Sequence, residues 1–218
     1  MKTYLLLQNT HAVELPAEFQ RDDVRYPEAL VAHFVKEFTR QEDLVFDPFA
    51  GYGTTLLVAE AMGRIPFGIE YDRRRVRFIQ SRLRSPRHAG NVIHGDARRL
   101  SSYGLPAFDF SMTSPPYLAR DDRVDPLAAY NAAGHGYDAY LRDIRAIYAQ
   151  LARLMRDGAH AVIEVANLKG DDGVTTLAWN IAGAVSEVLR FEGEVVVGWD
   201  HYGYGYDHSY CLVFTKPA

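Results

Sequence analysis

Apolar residues along the chain fall into two alternating kinds of run. Short stretches rich in Val, Ile and Phe occur at LVFD (44–47), IPFGIE (65–70), NVIH (91–94), FDFSMT (108–113), AHAVIEV (159–165), EVVVGW (194–199) and SYCLVFT (209–215). Their length and composition predict strands, and the longer segments of helical period between them predict repeated strand–helix units around a mostly parallel sheet. From Tyr140 to Met155, the residues Tyr140, Ile144, Ile147, Tyr148, Leu151, Leu154 and Met155 form one stripe, so this segment reads as an amphipathic helix with Gly158 past its end. PEALVAHFVKEFT reads as a helix with Pro27 at an early position and Leu30, Phe34 and Phe38 on one side. DHYGYGYD, between the last two strands, is too short for a helical crossover and predicts an antiparallel hairpin. The expected fold is α/β and doubly wound, Rossmann-like, with seven strands, mostly parallel, and an antiparallel C-terminal hairpin.

Length and composition narrow this further. At 218 residues the chain suits one domain, residues 1–218, with one active site. No apolar run approaches the roughly 20 residues that cross a bilayer, and MKTYLLLQNTHAVELP lacks the cleavage site of a signal peptide, so a cytoplasmic protein with no membrane partner is expected. Cys211, the single cysteine, lies in the apolar run YCLVF and reads as a buried strand residue. A net charge of −4 argues against bulk attraction to nucleic acid. The charge is unevenly spread, however: seven arginines and no acid lie between Arg73 and Arg87, whereas Asp121 to Asp125 and Asp171 to Asp172 are acidic. The arginine run fits a solvated helix and a phosphate-contacting patch about equally well.

The first strand runs into DPFAGYGTT, and LLVAEAMGR reads as the helix that follows. A strand, a glycine turn and a helix form a nucleotide-type pocket, because glycine lets a ligand approach the backbone and the helix start offers free N–H groups. Gly51 and Gly53 are followed by Thr54, Thr55 and Leu56, with neither the ending of a phosphate-binding loop nor the third glycine of a dinucleotide fingerprint. Asp47 stands at the carboxyl end of this strand, where a cationic or amine-bearing ligand would suit it. Glu70 ends the second strand, 23 positions on, and is placed for ribose hydroxyls; Asp96 follows the third strand in HGDAR and suits an adenine amine. Each acid taken alone also reads as a helix cap or a surface charge. The three together suit S-adenosyl-L-methionine.

After the fourth strand comes TSPPY, Thr113 to Tyr117. Consecutive prolines stiffen the backbone and leave carbonyls free to accept hydrogen bonds. A conjugated amino group is a poor nucleophile; if Ser114 Oγ and the Pro115 carbonyl each accept one of its N–H groups, the nitrogen lone pair can be aimed at a methyl donor. Tyr117 can stack on the planar group, a contact worth roughly 1–3 kcal/mol for a base.

DPFAGYGTT, GIEYD, GDAR and TSPPY, in this order, resemble the amino-methyltransferases that modify cytosine at N-4 or adenine at N-6 in DNA. RYPEALVAHF resembles the segment that covers the methionine end of the cofactor in that family, and HSYCLVFTKP resembles its closing strand, so the similarity runs from Arg25 almost to the end. The resemblance implies a class I methyltransferase fold. It also implies that Asp47, Phe49, Gly51 and Gly53 hold the methionine side, with Thr54 near its carboxylate. Glu70 would hold the ribose and Asp96 the adenine. Pro48, Ala50 and Thr55 of the first motif, Tyr71 of GIEYD, Ala97 of GDAR, and Tyr26 and Pro27 of RYPEALVAHF complete the cofactor set, with Ser114 touching it from the catalytic side. Ser114, Pro115, Pro116 and Tyr117 would hold the target amine. Serine at the head of the tetrad is commoner among the cytosine enzymes, which implies a cytosine-N4-specific DNA methyltransferase.

Two features depart from that pattern. Only about 20 loop residues separate Tyr117 from the next helix, so no separate target-recognition domain is expected, and a dimer would be one way to supply recognition surface. The cofactor-end helix comes first and the tetrad last, whereas SPPY begins the chain in the common arrangement. Three substrate readings therefore stand: DNA first, RNA or adenine N-6 second, and a peptide side-chain amide or a small-molecule amine third. A catalytically silent subunit that binds cofactor or nucleic acid is the alternative from another class. The loop from Leu118 to Tyr140 reads either as a cover over substrate or as a connector. His201, Asp207 and His208 lack metal-ligand spacing, so no metal is expected. Tyr202, Tyr204 and Tyr206 alternate along the tail and would either line a groove or pack a hairpin.

Overall fold

The computed structural model describes residues 2–21, 23–127, 136–171, 173–202 and 205–217. Asp172, Tyr204 and the middle of the 118–140 loop lie outside these residues. In chain order the elements begin with β1 (Tyr4–Leu7), α1 (Ala17–Gln20), α2 (Glu28–Phe38), β2 (Leu44–Asp47), α3 (Thr54–Ala61) and β3 (Ile65–Glu70). Next come α4 (Arg73–Arg82), α5 (Pro86–Gly90), β4 (Val92–His94), a 3-10 helix (Ala97–Ser102) and β5 (Phe108–Thr113). The remainder comprises α6 (Gly136–Leu154), β6 (Met155–Val165), β7 (Leu168–Gly170), β8 (Gly173–Thr175), α7 (Leu177–Ser186), β9 (Arg190–Trp199) and β10 (His208–Thr215).

Among the described residues the main sheet has eight strands in the order β1-β9-β10-β6-β5-β2-β3-β4. The pairs β2–β3, β3–β4, β2–β5 and β5–β6 are parallel, while β10 runs antiparallel to both β6 and β9. Strand alternation sends one set of residues to each face. Phe46, Ala161, Ile163, Leu212 and Phe214 pack with α6 and α7, whereas Val45, Phe110, Met112, Val162, Cys211 and Val213 pack with α2 and α3. Both faces are thus covered, as a mainly parallel sheet requires. The chain steps outward from β2 to β3 and β4 and then returns to β5 on the other side of β2. The topological switch therefore falls between Asp47 and Thr113, where such sheets hold their ligands.

All seven strand runs form strands. The eighth, β1, adds in parallel to β9 with Tyr4 opposite Val196 and Leu7 opposite Trp199. A four-residue edge strand that buries only one side has too little pattern to be read from sequence. β7 and β8, a short hairpin after β6, escape detection for the same reason. The α6 stripe is buried at Tyr140, Ile144, Ile147, Tyr148 and Leu151, but the helix ends at Leu154 and Met155 opens β6. Gly158 is therefore not a helix stop. With φ +77° it lies within β6, where the register against β5 slips between Phe108 and Phe110, as at a bulge.

Candidate functional site

The carboxyl ends of β2, β3, β5 and β6 open into one cavity of about 920 Å³, with cofactor-side and tetrad residues in the same wall. Pro48, Phe49, Ala50, Gly51 and Thr54 come from the β2–α3 turn, and Glu70 and Tyr71 from the end of β3. Asp96 and Ala97 follow β4, Tyr26 and Pro27 precede α2, and Ser114 to Tyr117 leave β5. Three of the expected cofactor residues, Asp47, Gly53 and Thr55, are outside this lining and support it from behind.

Asp47 is 1% exposed; its Oδ1 accepts from the Thr113 hydroxyl at 2.6 Å and from the Phe49 N–H at 3.0 Å. Burial pushes its carboxyl up to about 6, against the pull of these hydrogen bonds. Thr55 bonds the Tyr26 hydroxyl and donates to the Met112 carbonyl at 3.3 Å, fastening α3 to the segment ahead of α2 and to β5. Gly53, with φ +84°, begins α3, and a Cβ there would lie 2.8 Å from Ile79 Cγ1, so its glycine serves both backbone and packing. Gly51 is different: at φ +56° a Cβ would meet only the Phe49 carbonyl, at 3.8 Å, which leaves room beside the backbone for a ligand.

Glu70 is buried and grips this turn. One carboxylate oxygen accepts from the Gly51 N–H at 2.8 Å and the other from the Asp72 N–H at 2.7 Å, while burial raises its pKa. Asp96 caps the 3-10 helix through the Arg98 N–H at 2.9 Å and is also paired with the Arg98 guanidinium at 2.7 Å. Burial pulls the Asp96 pKa upward, but the Arg98 hydrogen bonds prevail and hold it below the usual carboxylate range. An adenine amine approaching Asp96 therefore meets an acid already engaged by a cation.

Several wall residues were not among the expected site residues, although Arg25 opens the RYPEALVAHF segment. The stretch between β1 and α2 is laid across the cavity by the Asn9 N–H, which donates to Asp200 Oδ1 at 2.8 Å, and by Glu28, which accepts from the Ala12 and Val13 N–H groups. It brings His11, Asp23 and Arg25 to the wall. Arg75 of α4 lies over the Tyr52 ring at 4.5 Å, beside Glu70. Glu164, near the end of β6, is 3% exposed and accepts from the Tyr117 hydroxyl at 3.0 Å and the Tyr202 hydroxyl at 3.1 Å. One signal could have disclosed it: Glu164 is the only acid in the apolar run AHAVIEV.

Of the tail tyrosines, Tyr202 faces the cavity and stacks on Trp199, whereas Tyr206 packs against His208 and Lys169. Among the described residues no three His, Cys, Asp or Glu side chains are grouped as metal ligands, and no helix is long and apolar enough to cross a membrane.

Comparison with known proteins agrees with this geometry. A family model described as DNA methylase matches residues 9–81. The type II methyltransferase M.HinfI of Haemophilus influenzae is 40% identical over 67 residues, which are 31% of this chain and 19% of that protein. Among solved structures, TrmN from Thermus thermophilus superposes with a TM-score of 0.64 at 17% identity, covering 94% of this chain and 55% of its own. The T. thermophilus 16S rRNA methyltransferase RsmC, solved with AdoMet and guanosine, gives 0.57 at 18% identity over 91% of this chain and 45% of its own. The chain thus spans about a fifth of the curated relative it matches and about half of these two structures. The fold is the one seen in these solved methyltransferase structures, and over residues 9–81 the chain is similar to the DNA methylase family.

Proposed function

We propose that this chain transfers a methyl group from S-adenosylmethionine to an exocyclic amino nitrogen of a nucleic-acid base, with cytosine N-4 in DNA as the preferred target. The observation that carries this reading is that the turn between Pro48 and Thr54, Glu70 and the tetrad from Ser114 to Tyr117 border one cavity, so donor and acceptor sites are contiguous. The wall suits the cofactor chemically. Glu70 offers carboxylate lone pairs to ribose hydroxyls, Ile69 and Ala97 give apolar surface for adenine, and Gly51 with the start of α3 leaves backbone room for the methionine end. When bound, S-adenosylmethionine supplies an electrophilic methyl on a positively charged sulfur.

The chain's own residues then have three tasks. Ser114 and the Pro115 carbonyl accept the amine N–H groups and aim the nitrogen lone pair. The Tyr140 hydroxyl, 2.9 Å from the Pro116 carbonyl, keeps the tetrad backbone in place. Tyr117, whose hydroxyl is tied to Glu164, offers its ring to a planar substrate.

A second reading keeps the chemistry and changes the polymer to RNA. The exposed acids Asp121 and Asp122 follow the tetrad, with Asp122 in the cavity wall, and would repel the phosphates of a closely laid duplex, which favours a substrate that enters as a single extruded base. Labelled-methyl transfer to duplex DNA, single-stranded DNA, RNA and peptide, with mass spectrometry of the digested product, separates the readings. Methyl on cytosine N-4 of DNA supports the first; label in RNA alone selects the second; label only in peptide rejects both. Ser114→Ala should slow transfer about 100-fold, a loss far larger than any change in cofactor affinity.

A further inference from the structure

On the sheet face that α6 and α7 cover, the cover stops short of the outer strands. The register sets Leu6 beside Gly198 and Gly198 beside His208, and likewise Tyr4 beside Val196 and Val196 beside Tyr210, so these residues share one face with Leu212. Helix α7 packs against β9 and β10 but leaves Tyr4 55% and Leu6 73% exposed on β1, and its own Trp179 is 43% exposed. Four aromatic rings follow one another across this surface. Trp179 meets Tyr210 with ring centroids 4.9 Å apart, Tyr210 meets His208 at 5.2 Å, and His208 meets Tyr206 at 5.2 Å. These contacts are tilted or edge-on; they fix the rings relative to one another without stacking them flat, which leaves ring face for another planar group. Lys169 closes the row, its ammonium 4.3 Å from the Tyr206 ring centroid and in no ion pair among the described residues. The row starts at the cavity: Leu168, next to Lys169, and Tyr202, in the same β9–β10 connection as Tyr206, both line it.

We propose that Tyr206, His208, Tyr210 and Trp179 form a stacking track for the single-stranded nucleic acid that flanks the target base. This rests on the nucleic-acid reading above and names the surface that would hold the strand. A ring accepts any base through its π-face, and a base has a free face to offer only where it is unpaired. A row of rings that leads away from the cavity suits a polymer, whose successive bases meet successive rings. Lys169 stands where the row reaches the cavity and offers its ammonium to a phosphate.

Charge on this face leaves the affinity to the rings. Glu194, beside Leu212 in the register, and the exposed Asp207 oppose a general attraction for phosphate, as does the net charge of −4. Binding carried by stacking is tolerant of sequence and depends weakly on salt, unlike binding carried by phosphate contacts. A second copy of the chain is the competing occupant, since it would bury Tyr4, Leu6 and Trp179 together. The strand is favoured because the rings run to Lys169 and the cavity, where a strand has to be delivered to the tetrad.

The probe is labelled oligo(dT), whose base has no exocyclic amine and so binds without being a methyl acceptor. Affinity is read by fluorescence anisotropy, and contact by tryptophan emission. The chain has two tryptophans, and Trp199 is 6% exposed, so an emission change that Trp179→Phe removes reports on Trp179. Wild type should bind oligo(dT) in preference to the oligo(dT)–oligo(dA) duplex. Trp179→Ala and His208→Ala should each weaken binding about tenfold, whereas Trp179→Phe, which keeps a ring, should stay within about threefold. Should His208→Ala not fold, the exposed Trp179 decides. Equal affinity of wild type and Trp179→Ala overturns the proposal, as does duplex bound as tightly as single strand. A concentration-dependent dimer that Trp179→Ala dissociates also overturns it and assigns the face to a second copy. Oligo(dT) binding with these losses, in a chain that methylates no strand, overturns the function reading and leaves the track standing; methyl transfer with no dependence on the rings does the reverse.

Discussion

The Thr113 hydroxyl and the Asp47 carboxylate meet at 2.6 Å, joining the strand end before the glycine turn to the residue before Ser114. The two halves of the site are thus locked together by a buried acid that itself stays out of the cavity wall.

Asp47 makes stability depend on pH. Its folded pKa, about 6, lies above the ordinary value of 3.8, so the folded state holds the proton more tightly. The associated stability is fully present below pH 3.8 and is lost as pH rises through 6, a swing of roughly 3 kcal/mol. Asp47→Asn should abolish that part of the dependence. Denaturant midpoints at pH 4 and pH 7 for both proteins check this; equal differences at both pH values would sink it.

Glu70 gives a second prediction. Glu70→Ala leaves the Gly51 and Asp72 N–H groups without their carboxylate, at a cost of about 2 kcal/mol, and frees the turn it grips. Cofactor affinity by calorimetry should fall at least tenfold, and Glu70→Gln, which keeps one acceptor, should fall less. Unchanged affinity in the alanine variant would remove Glu70 from the binding set.

Arg73, Arg77, Arg84 and Arg87 are among the six exposed arginines of the α4–α5 region, a cationic stretch of a protein whose net charge is −4. If phosphates run along it, each Arg→Ala replacement should reduce the salt slope of nucleic-acid binding by about one, uniformly across sequences. A slope that four replacements leave unaltered would assign the stretch to solvent.

Cys211 lies in β10 with no exposed surface, and burial raises its thiol pKa. Thiol reagents should therefore label it only at the rate of unfolding, with cofactor slowing the reaction as it stabilises the fold. Fast labelling of the native protein would contradict the packing of β10 against β6 and β9.

What could be read in advance followed the strength of each local signal. SYCLVFT is a nearly continuous apolar run, FDFSMT sets Phe108, Phe110 and Met112 at strand alternation, and the α6 stripe repeats over four turns, so all three were legible. β1 and the β7–β8 hairpin lean on long-range partners and carry little pattern of their own. At the site, motif residues reached the cavity where glycine or proline dictates backbone shape. Asp47 and Thr55 were legible as important but not as supports behind the wall, because side-chain direction at a strand end depends on neighbours far along the chain. Arg98, two residues beyond Asp96, competes for that acid through local geometry that only coordinates disclose. Glu164 was marked only by being the one acid in AHAVIEV, a signal that an acid lining a cavity shares with one at a strand end.

The contact between Asn9 and Asp200, 191 residues apart, has a consequence for how the protein comes into being. Local strand–helix pairs such as β2–α3 and β3–α4 can form early and nearby, whereas the stretch behind β1 can be laid over the cavity only after β9 and β10 have docked. The pocket is thus closed by residues from near both ends of the chain, and its completion depends on contacts of a sequence separation that the strand–helix pairs beneath it do not need.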